Sequence, residues 1–135
     1  MAIKDVVAAV DTVVKSKVTL SSTSVYPNEE QRTGLFAVTF EESGRYEMRS
    51  AGWAQSFHSV VSYILGPRTN MLQTYKSLEG KCEDICKALA GDETLGGTCD
   101  TFLEASYAMG NLEVAGVAYV GYKITINGIK MPRVL

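Results

Sequence analysis

The stretch MLQTYKSLEGKCEDICKALAG, residues 71–91, decides the fold class because it predicts the clearest helix in the chain. Thr69 or Asn70 can cap its start, and Gly91 is suited to close it. Its apolar side chains recur at spacings of three and four and therefore share one helical face: Met71, Leu72, Tyr75, Leu78, Cys82, Ile85, Cys86 and Leu89. A helix with one apolar stripe must bury it, and the flanking segments predict a sheet as its partner.

Three strands are predicted before this helix. Residues 35–42 and 45–50 alternate between apolar and polar side chains, and Glu42-Ser43-Gly44 between them predicts a hairpin turn. The third strand, about 54–65, places Phe57 to Leu65 (odd numbers) on one face and His58 to Ile64 (even numbers) on the other, and Gly66-Pro67 ends it. Upstream, residues 19–34 have loop composition, with a short strand expected around Val25.

Two strands are predicted after the helix, following a loop at 92–101. They cover about 102–109 and 112–127, with a short hairpin connection at Gly110-Asn111. Residues 128–135 are expected to leave the last strand as an extended tail.

The N-terminal segment predicts a further helix over residues 3–17, where valine and isoleucine recur at helical spacing. The predicted order is α-β-β-β-α-β-β. Hairpin-linked strands grouped on either side of a helix indicate an α+β fold, an antiparallel (mixed) sheet flanked by two helices. Residues 1–135 are expected to form one domain.

Composition excludes several classes of protein. The chain has 135 residues, 46% hydrophobic and 21% charged, which argues against a disordered segment or a coiled coil. A net charge of −2 gives no basic excess for sequence-specific nucleic-acid binding. No apolar run approaches the length of a membrane helix or a signal peptide. The odd count of 3 cysteines indicates reduced thiols in an intracellular setting.

The chain offers little chemistry for catalysis. His58 is the single histidine, and a strand histidine that faces solvent or a neighbour is the expectation. Cys82, Cys86 and Cys99 could join His58 in a zinc site, but their spacing matches no short zinc signature, so buried core thiols are favoured. Glu41 and Glu42 show no pairing that suggests acid–base work. We therefore expect neither an enzyme nor a cofactor.

Two groups of residues fit partner binding better. Arg45, Arg49 and Trp53 lie in or near the second predicted strand, and Trp and Arg are enriched at interface hot spots; a salt-bridged surface with a core tryptophan is the alternative. The tail either packs back on its own sheet or reaches a neighbouring subunit. Its candidate contact residues are Met131, Pro132, Arg133, Val134 and Leu135.

Residues 86–126 carry a family resemblance. The helix ends in an Asp-x-Thr-Leu-Gly-Gly turn, here Asp92, Thr94, Leu95, Gly96 and Gly97, and two strands follow. The last strand carries a Gly-aromatic-x-hydrophobic-x-hydrophobic pattern at Gly121, Tyr122, Ile124 and Ile126. This stretch resembles the C-terminal half of the tail terminator (tail completion) proteins of tailed phages. The motif covers about a third of the chain, and the element order covers most of it.

The resemblance implies a structural role. Tail terminators form a hexameric ring that caps the head-proximal end of the tail tube, stops tube polymerisation and joins the tail to the neck. It implies four partners: further copies of the chain, the tail tube protein, a neck or head–tail connector protein and, in a contractile tail, the sheath. The expected location is the tail–neck junction of the virion, after assembly in the host cytoplasm.

Two other functions remain open at this stage. One is another head–tail joining component, such as a stopper or a tube-like subunit. The other is a small metal-binding or thiol-dependent module that uses Cys82, Cys86, Cys99 and His58.

Overall fold

A computed structural model of the chain describes residues 3–18, 22–24, 35–48, 54–68, 71–114 and 116–131. These residues form an α+β fold, as predicted, with helices packed on one side of a five-stranded sheet. The elements in chain order are α1 (Ile3–Lys17), β1 (Ser22–Ser24), β2 (Phe36–Met48), β3 (Ala54–Pro67), α2 (Met71–Leu78), α3 (Lys81–Ala90), β4 (Glu104–Val114) and β5 (Val117–Lys130).

The sheet has the strand order β1-β2-β3-β5-β4. β1 pairs with the start of β2 in parallel, and every other neighbouring pair is antiparallel. Because the hairpin β4–β5 inserts β5 beside β3, the strands β2 and β4 end up on opposite flanks of the sheet.

The main core lies between the helices and one side of the sheet, which we call the helix side. Valines of α1 and apolar residues of α3 meet sheet residues such as Ile64 and Ile124, which are both fully buried. A smaller apolar cluster lies on the second side of the sheet, around Phe36, Leu65 and Tyr119. The rings of Phe36 and Tyr119 meet edge to face, 4.9 Å apart. The predicted division of β3 into an odd-numbered and an even-numbered face is therefore confirmed, since Leu65 belongs to the second-side cluster, whereas Val60 and Ile64 belong to the main core.

The predicted hairpin at residues 42–44 is wrong. β2 continues from Phe36 through Met48, and the register against β3 shifts between Glu41 and Ser43, so Glu42 is the extra residue of a β-bulge. A bulge reverses which side of the sheet the following residues face. Phe36, Val38 and Phe40 therefore join or border the second-side cluster, whereas Gly44 pairs with His58 and Tyr46 pairs with Ser56.

The long helix predicted over 71–91 is two helices. α2 ends at Leu78, and α3 begins at Lys81 after Gly80, whose φ of 78° is left-handed. A left-handed residue cannot continue an α-helix, and glycine adopts this conformation without steric cost. The N-terminal helix is confirmed over its predicted range of 3–17.

Two further boundaries differ from prediction. The turn expected at Gly110-Asn111 is wrong, because β4 runs on to Val114 and Gly110 pairs with Gly121 inside the sheet. The tail expected from residue 128 begins later, because β5 extends to Lys130 past a second bulge opposite Ser59. The loop at 92–101 is confirmed as a series of turns. None of the helices in the described part of the chain is long and apolar enough to cross a membrane.

Candidate assembly surfaces

The sheet has two long outer edges. β4 forms one of them over residues 104–114. The other is the distal half of β2, residues 39–48, since β1 covers β2 only at Phe36, Ala37 and Val38. Among the residues that the structure describes, no strand lies along the outer side of either segment. Edge strands present backbone donors and acceptors to any further strand that arrives, so both edges are candidate sites of assembly.

The two edges run in opposite directions. β2 is antiparallel to β3, β3 to β5, and β5 to β4, so three reversals separate β2 from β4. If copies of the chain were placed side by side in the same orientation, β4 of one copy would therefore lie antiparallel to β2 of the next.

Exposed apolar side chains border the β4 edge on the helix side. Tyr107 is 47% exposed and Met109 is 65% exposed. The ring of Tyr107 packs at 6.4 Å from that of Tyr122, which in turn meets Tyr75 of α2 at 5.7 Å. These aromatic contacts hold Tyr107 in place, so a partner that covers it meets a surface that is already ordered.

Exposed apolar side chains also border the distal half of β2. Tyr46 is 65% exposed and Met48 is 76% exposed. Both lie beyond the bulge at Glu42, so they share the helix side with His58, whose ring meets Tyr46 edge-on at 5.9 Å. Each open edge thus carries a pair of exposed apolar residues, and both pairs lie on the same side of the sheet.

A part-buried hydrogen bond between two side chains fixes the backbone of β2 where it bulges. Nδ1 of His58 lies 2.8 Å from Oε1 of Glu41, and the histidine is 6% exposed. A Cβ on Gly44 would lie 2.6 Å from that Glu41 oxygen and 2.7 Å from His58 Nδ1, so only glycine leaves room for the pair. The neighbouring Glu42 pairs instead with Lys123, at 2.9 Å.

This pair does not extend to a hydroxyl nucleophile on β3. Ser59 and His58 are consecutive strand residues and point to opposite sides of the sheet. The Ser59 hydroxyl donates to Oδ1 of Asn127 at 2.8 Å, and the Asn127 amide donates to Glu104 at 3.2 Å. His58 therefore faces a neighbouring side chain, which is one of the two environments predicted for it. That this neighbour is the carboxylate of Glu41 was not predicted.

The cysteines lie in or beside the core, as favoured from the sequence. Cys82 and Cys99 are buried and Cys86 is half-buried. Burial and the nearby Cys86 raise the pKa of Cys82 to about 12. Burial, with Asp100 and Asp92, raises the pKa of Cys99 to about 11. Both thiols are therefore protonated at neutral pH, which is unfavourable for a nucleophile or a metal ligand.

No group of three His, Cys, Asp or Glu side chains suited to a metal ion occurs in the described ranges. Within those ranges, no cluster of side chains supports the hypothesis of a zinc site.

The structure describes two of the eight residues predicted for partner binding. Arg45 is exposed on the second side of the sheet, with its guanidinium carbon 4.9 Å from the centre of the Phe57 ring. Met131 is 5% exposed and belongs to the main core. Its backbone N–H donates to Ser56 at 3.2 Å, and its carbonyl accepts from the Gln55 side chain. The other six lie outside the described residues: Arg49, Trp53, Pro132, Arg133, Val134 and Leu135.

The burial of Met131 bears on the predicted tail. Met131, the residue that follows β5, packs on its own sheet, which agrees with one of the two alternatives predicted for the tail. The sequence did not point to Tyr107 and Met109, although their spacing of two in a strand was the available signal.

The residues of the family-like motif build the turn between α3 and β4. The Asp92 carboxylate accepts from the Gly96 backbone N–H at 2.8 Å, and the Thr94 carbonyl accepts from the N–H groups of Gly97, Thr98 and Cys99. Gly96 and Gly97 have φ of 72° and 83°, which glycine adopts readily.

Leu95 of the same motif is buried in the main core and anchors the loop. The Asp-x-Thr-Leu-Gly-Gly motif is thus a self-bonded turn whose residues each have a local structural task.

Comparison with protein-family models and with curated protein sequences finds no match for this chain.

Proposed function

We propose that the chain is a virion structural protein of a tailed phage, a tail terminator that caps the head-proximal end of the tail tube as a hexameric ring. The ring stops tube polymerisation and provides the joint to the neck. Its partners are further copies of the chain, the tail tube protein and a neck or connector protein.

One observation carries this proposal: among the residues that the structure describes, the sheet has two open edges that run in opposite directions on its two flanks. A contact between two different surfaces of identical subunits repeats from copy to copy, and it gives a ring when the rotation closes. A subunit with complementary open edges is suited to that arrangement.

Two further features support a structural rather than a catalytic role. The part-buried His58–Glu41 hydrogen bond joins neighbouring strands, and Ser59 points to the other side of the sheet. The thiols of Cys82 and Cys99 have raised pKa values that keep them protonated. We accordingly propose that the protein is not an enzyme.

The proposal is tested in the phage that encodes the chain, by an amber mutation in its gene. Electron microscopy of lysates should show tails of abnormal length and unattached heads, because the tube end is left uncapped. Supply of the wild-type protein from a plasmid should restore normal tails. A Lys76→Gln variant, altered at an exposed site of α2, which packs on the central strands β3 and β5, should restore them equally well.

Tails of normal length joined to heads in the absence of the protein would contradict the proposal. Normal tube length with unattached heads would instead favour the alternative of a neck or stopper protein.

A further inference from the structure

We propose that β4 of one copy pairs in an antiparallel manner with the distal half of β2 of the next copy, so that the sheet continues from subunit to subunit. The inference rests on the proposed ring function and names the surfaces through which the ring would close. The partner of each edge is thus a second copy of this chain.

Strand direction supports this pairing. The three antiparallel steps between β2 and β4 leave the two edges opposed within one copy. Copies related by a rotation about an axis roughly along the strands keep their strand directions, so their adjoining edges are antiparallel without any rearrangement. Two β4 edges can meet only if one copy is turned over, which makes a closed dimer and no ring.

The exposed apolar residues select a register. On the helix side, β4 presents Tyr107 and Met109, and β2 presents Tyr46 and Met48. An antiparallel register that places Met109 opposite Tyr46 also places Tyr107 opposite Met48. Aromatic and apolar pairs directly across two strands are stabilising, so this register buries all four side chains together.

The same register fits the ends of both strands. In this register residues 107–112 of one copy pair with residues 43–48 of the next. The paired segment of β2 ends at Ser43, next to the bulge at Glu42, and does not include the bulge. β4 ends at Val114, before it would meet β1, which occupies the outer side of β2 at residues 36–38. Within the paired segment Arg45 faces Gly110 and Glu47 faces Ala108, so no like charges oppose each other.

Disulfide trapping between two singly substituted proteins tests the pairing. Tyr46→Cys and Met109→Cys are made separately in a Cys86→Ser background, which leaves Cys82 and Cys99 buried. Residues directly opposite each other in antiparallel strands have Cα atoms about 4.5–5.5 Å apart, within reach of a disulfide. On mixing and mild oxidation, a covalent heterodimer should form, to at least ten times the level of either homodimer.

A matched control uses Ala108→Cys with Tyr46→Cys. Ala108 is adjacent in sequence but pairs with Lys123 on the second side of the sheet, so its thiol would face away from position 46. This mixture should give little adduct. A variant with both Tyr46→Cys and Met109→Cys should give a covalent ladder that ends at the hexamer. A bond within one chain is excluded, because three strand spacings, about 14 Å, separate the two edges.

The outcomes separate this inference from the proposed function. A discrete ring without the mixed adduct would overturn the edge pairing and leave the tail-terminator proposal standing. Efficient homodimers of the Met109→Cys protein, or equal trapping by Ala108→Cys, would also overturn it. A mixed adduct whose ladder lengthens without limit would support the pairing but contradict a closed cap.

Discussion

At the scale of single residues, one hydroxyl links the first helix to the sheet. Asp11 of α1 is buried, and its Oδ1 lies 3.2 Å from the Thr39 hydroxyl, which lies 2.9 Å from the Ser62 hydroxyl. Lys15 approaches the other Asp11 oxygen at 3.8 Å from a partly exposed position. The carboxylate therefore depends on Thr39 for its buried hydrogen bond.

We predict that Thr39→Val lowers the free energy of unfolding by about 1–3 kcal/mol, because a buried carboxylate oxygen loses its donor. Thr39→Ser keeps the hydroxyl and should recover most of this loss. The measurement is urea unfolding followed by circular dichroism. A Thr39→Val protein as stable as the wild type would show that the Asp11 carboxylate is satisfied without this hydroxyl.

The contact between Glu41 and His58 shows why sequence alone missed part of the site. Glu-Glu-Ser-Gly has the composition of a turn, and a turn at 42–44 would end the strand just after Glu41. The chain instead bulges by one residue, so Gly44 remains in the strand opposite His58. A bulge and a turn use the same residue types, and the register that distinguishes them depends on the partner strand.

At the scale of elements, the break between α2 and α3 depends on the backbone of Gly80. The apolar stripe continues on both sides of the break, from Leu78 to Cys82, so periodicity alone predicts one helix. The signal for two helices was the glycine itself, which is costly inside a helix and favourable at φ of 78°.

We predict that Gly80→Ala destabilises the fold by about 1–2 kcal/mol, the usual cost of a left-handed conformation for a residue with a Cβ. A Cβ at this position would meet nothing within 4 Å, so the loss would come from the backbone alone. Gly80→Asn should cost less, because Asn tolerates this conformation better.

Gly91→Ala is the matched control. Gly91 closes α3 at φ of −78°, and its added Cβ would make only ordinary contacts, at 3.5 Å and 3.6 Å. Thermal unfolding should show little change for this variant. Equal losses in Gly80→Ala and Gly91→Ala would contradict the backbone explanation of the helix break.

For the strands, the sequence pattern predicts which residues share a face better than it predicts where a strand begins or ends. Alternation along β3 correctly assigned His58, Val60, Ser62 and Ile64 to one side of the sheet. The end of β4 and the start of β5 were both predicted several residues too early, because Gly110-Asn111 has the composition of a hairpin turn. Gly110 lies opposite Gly121 in the sheet. A Cβ on Gly121 would overlap the Ile64 carbonyl oxygen, and a Cβ on Gly110 would lie 3.0 Å from the Cβ of Lys123, so both glycines allow close packing within the sheet.

At the scale of the whole molecule, the α+β class followed from the sequence because it depends on the grouping of strands around helices. The open edges did not follow from it. Which strand lies at an edge depends on pairing between distant segments, here β3 with β5, and no local pattern reports that pairing. The surfaces that we propose for assembly are therefore visible only in the fold.

The central claim is that copies of this chain close into a ring, and the native mass of the purified protein across a concentration series tests it most directly. We predict a single discrete assembly with the mass of a hexamer, with nothing larger as the concentration rises, because each open edge is used once in a closed ring. Polymers that lengthen steadily with concentration would contradict the account, since they would make the chain a tube-like subunit rather than a cap.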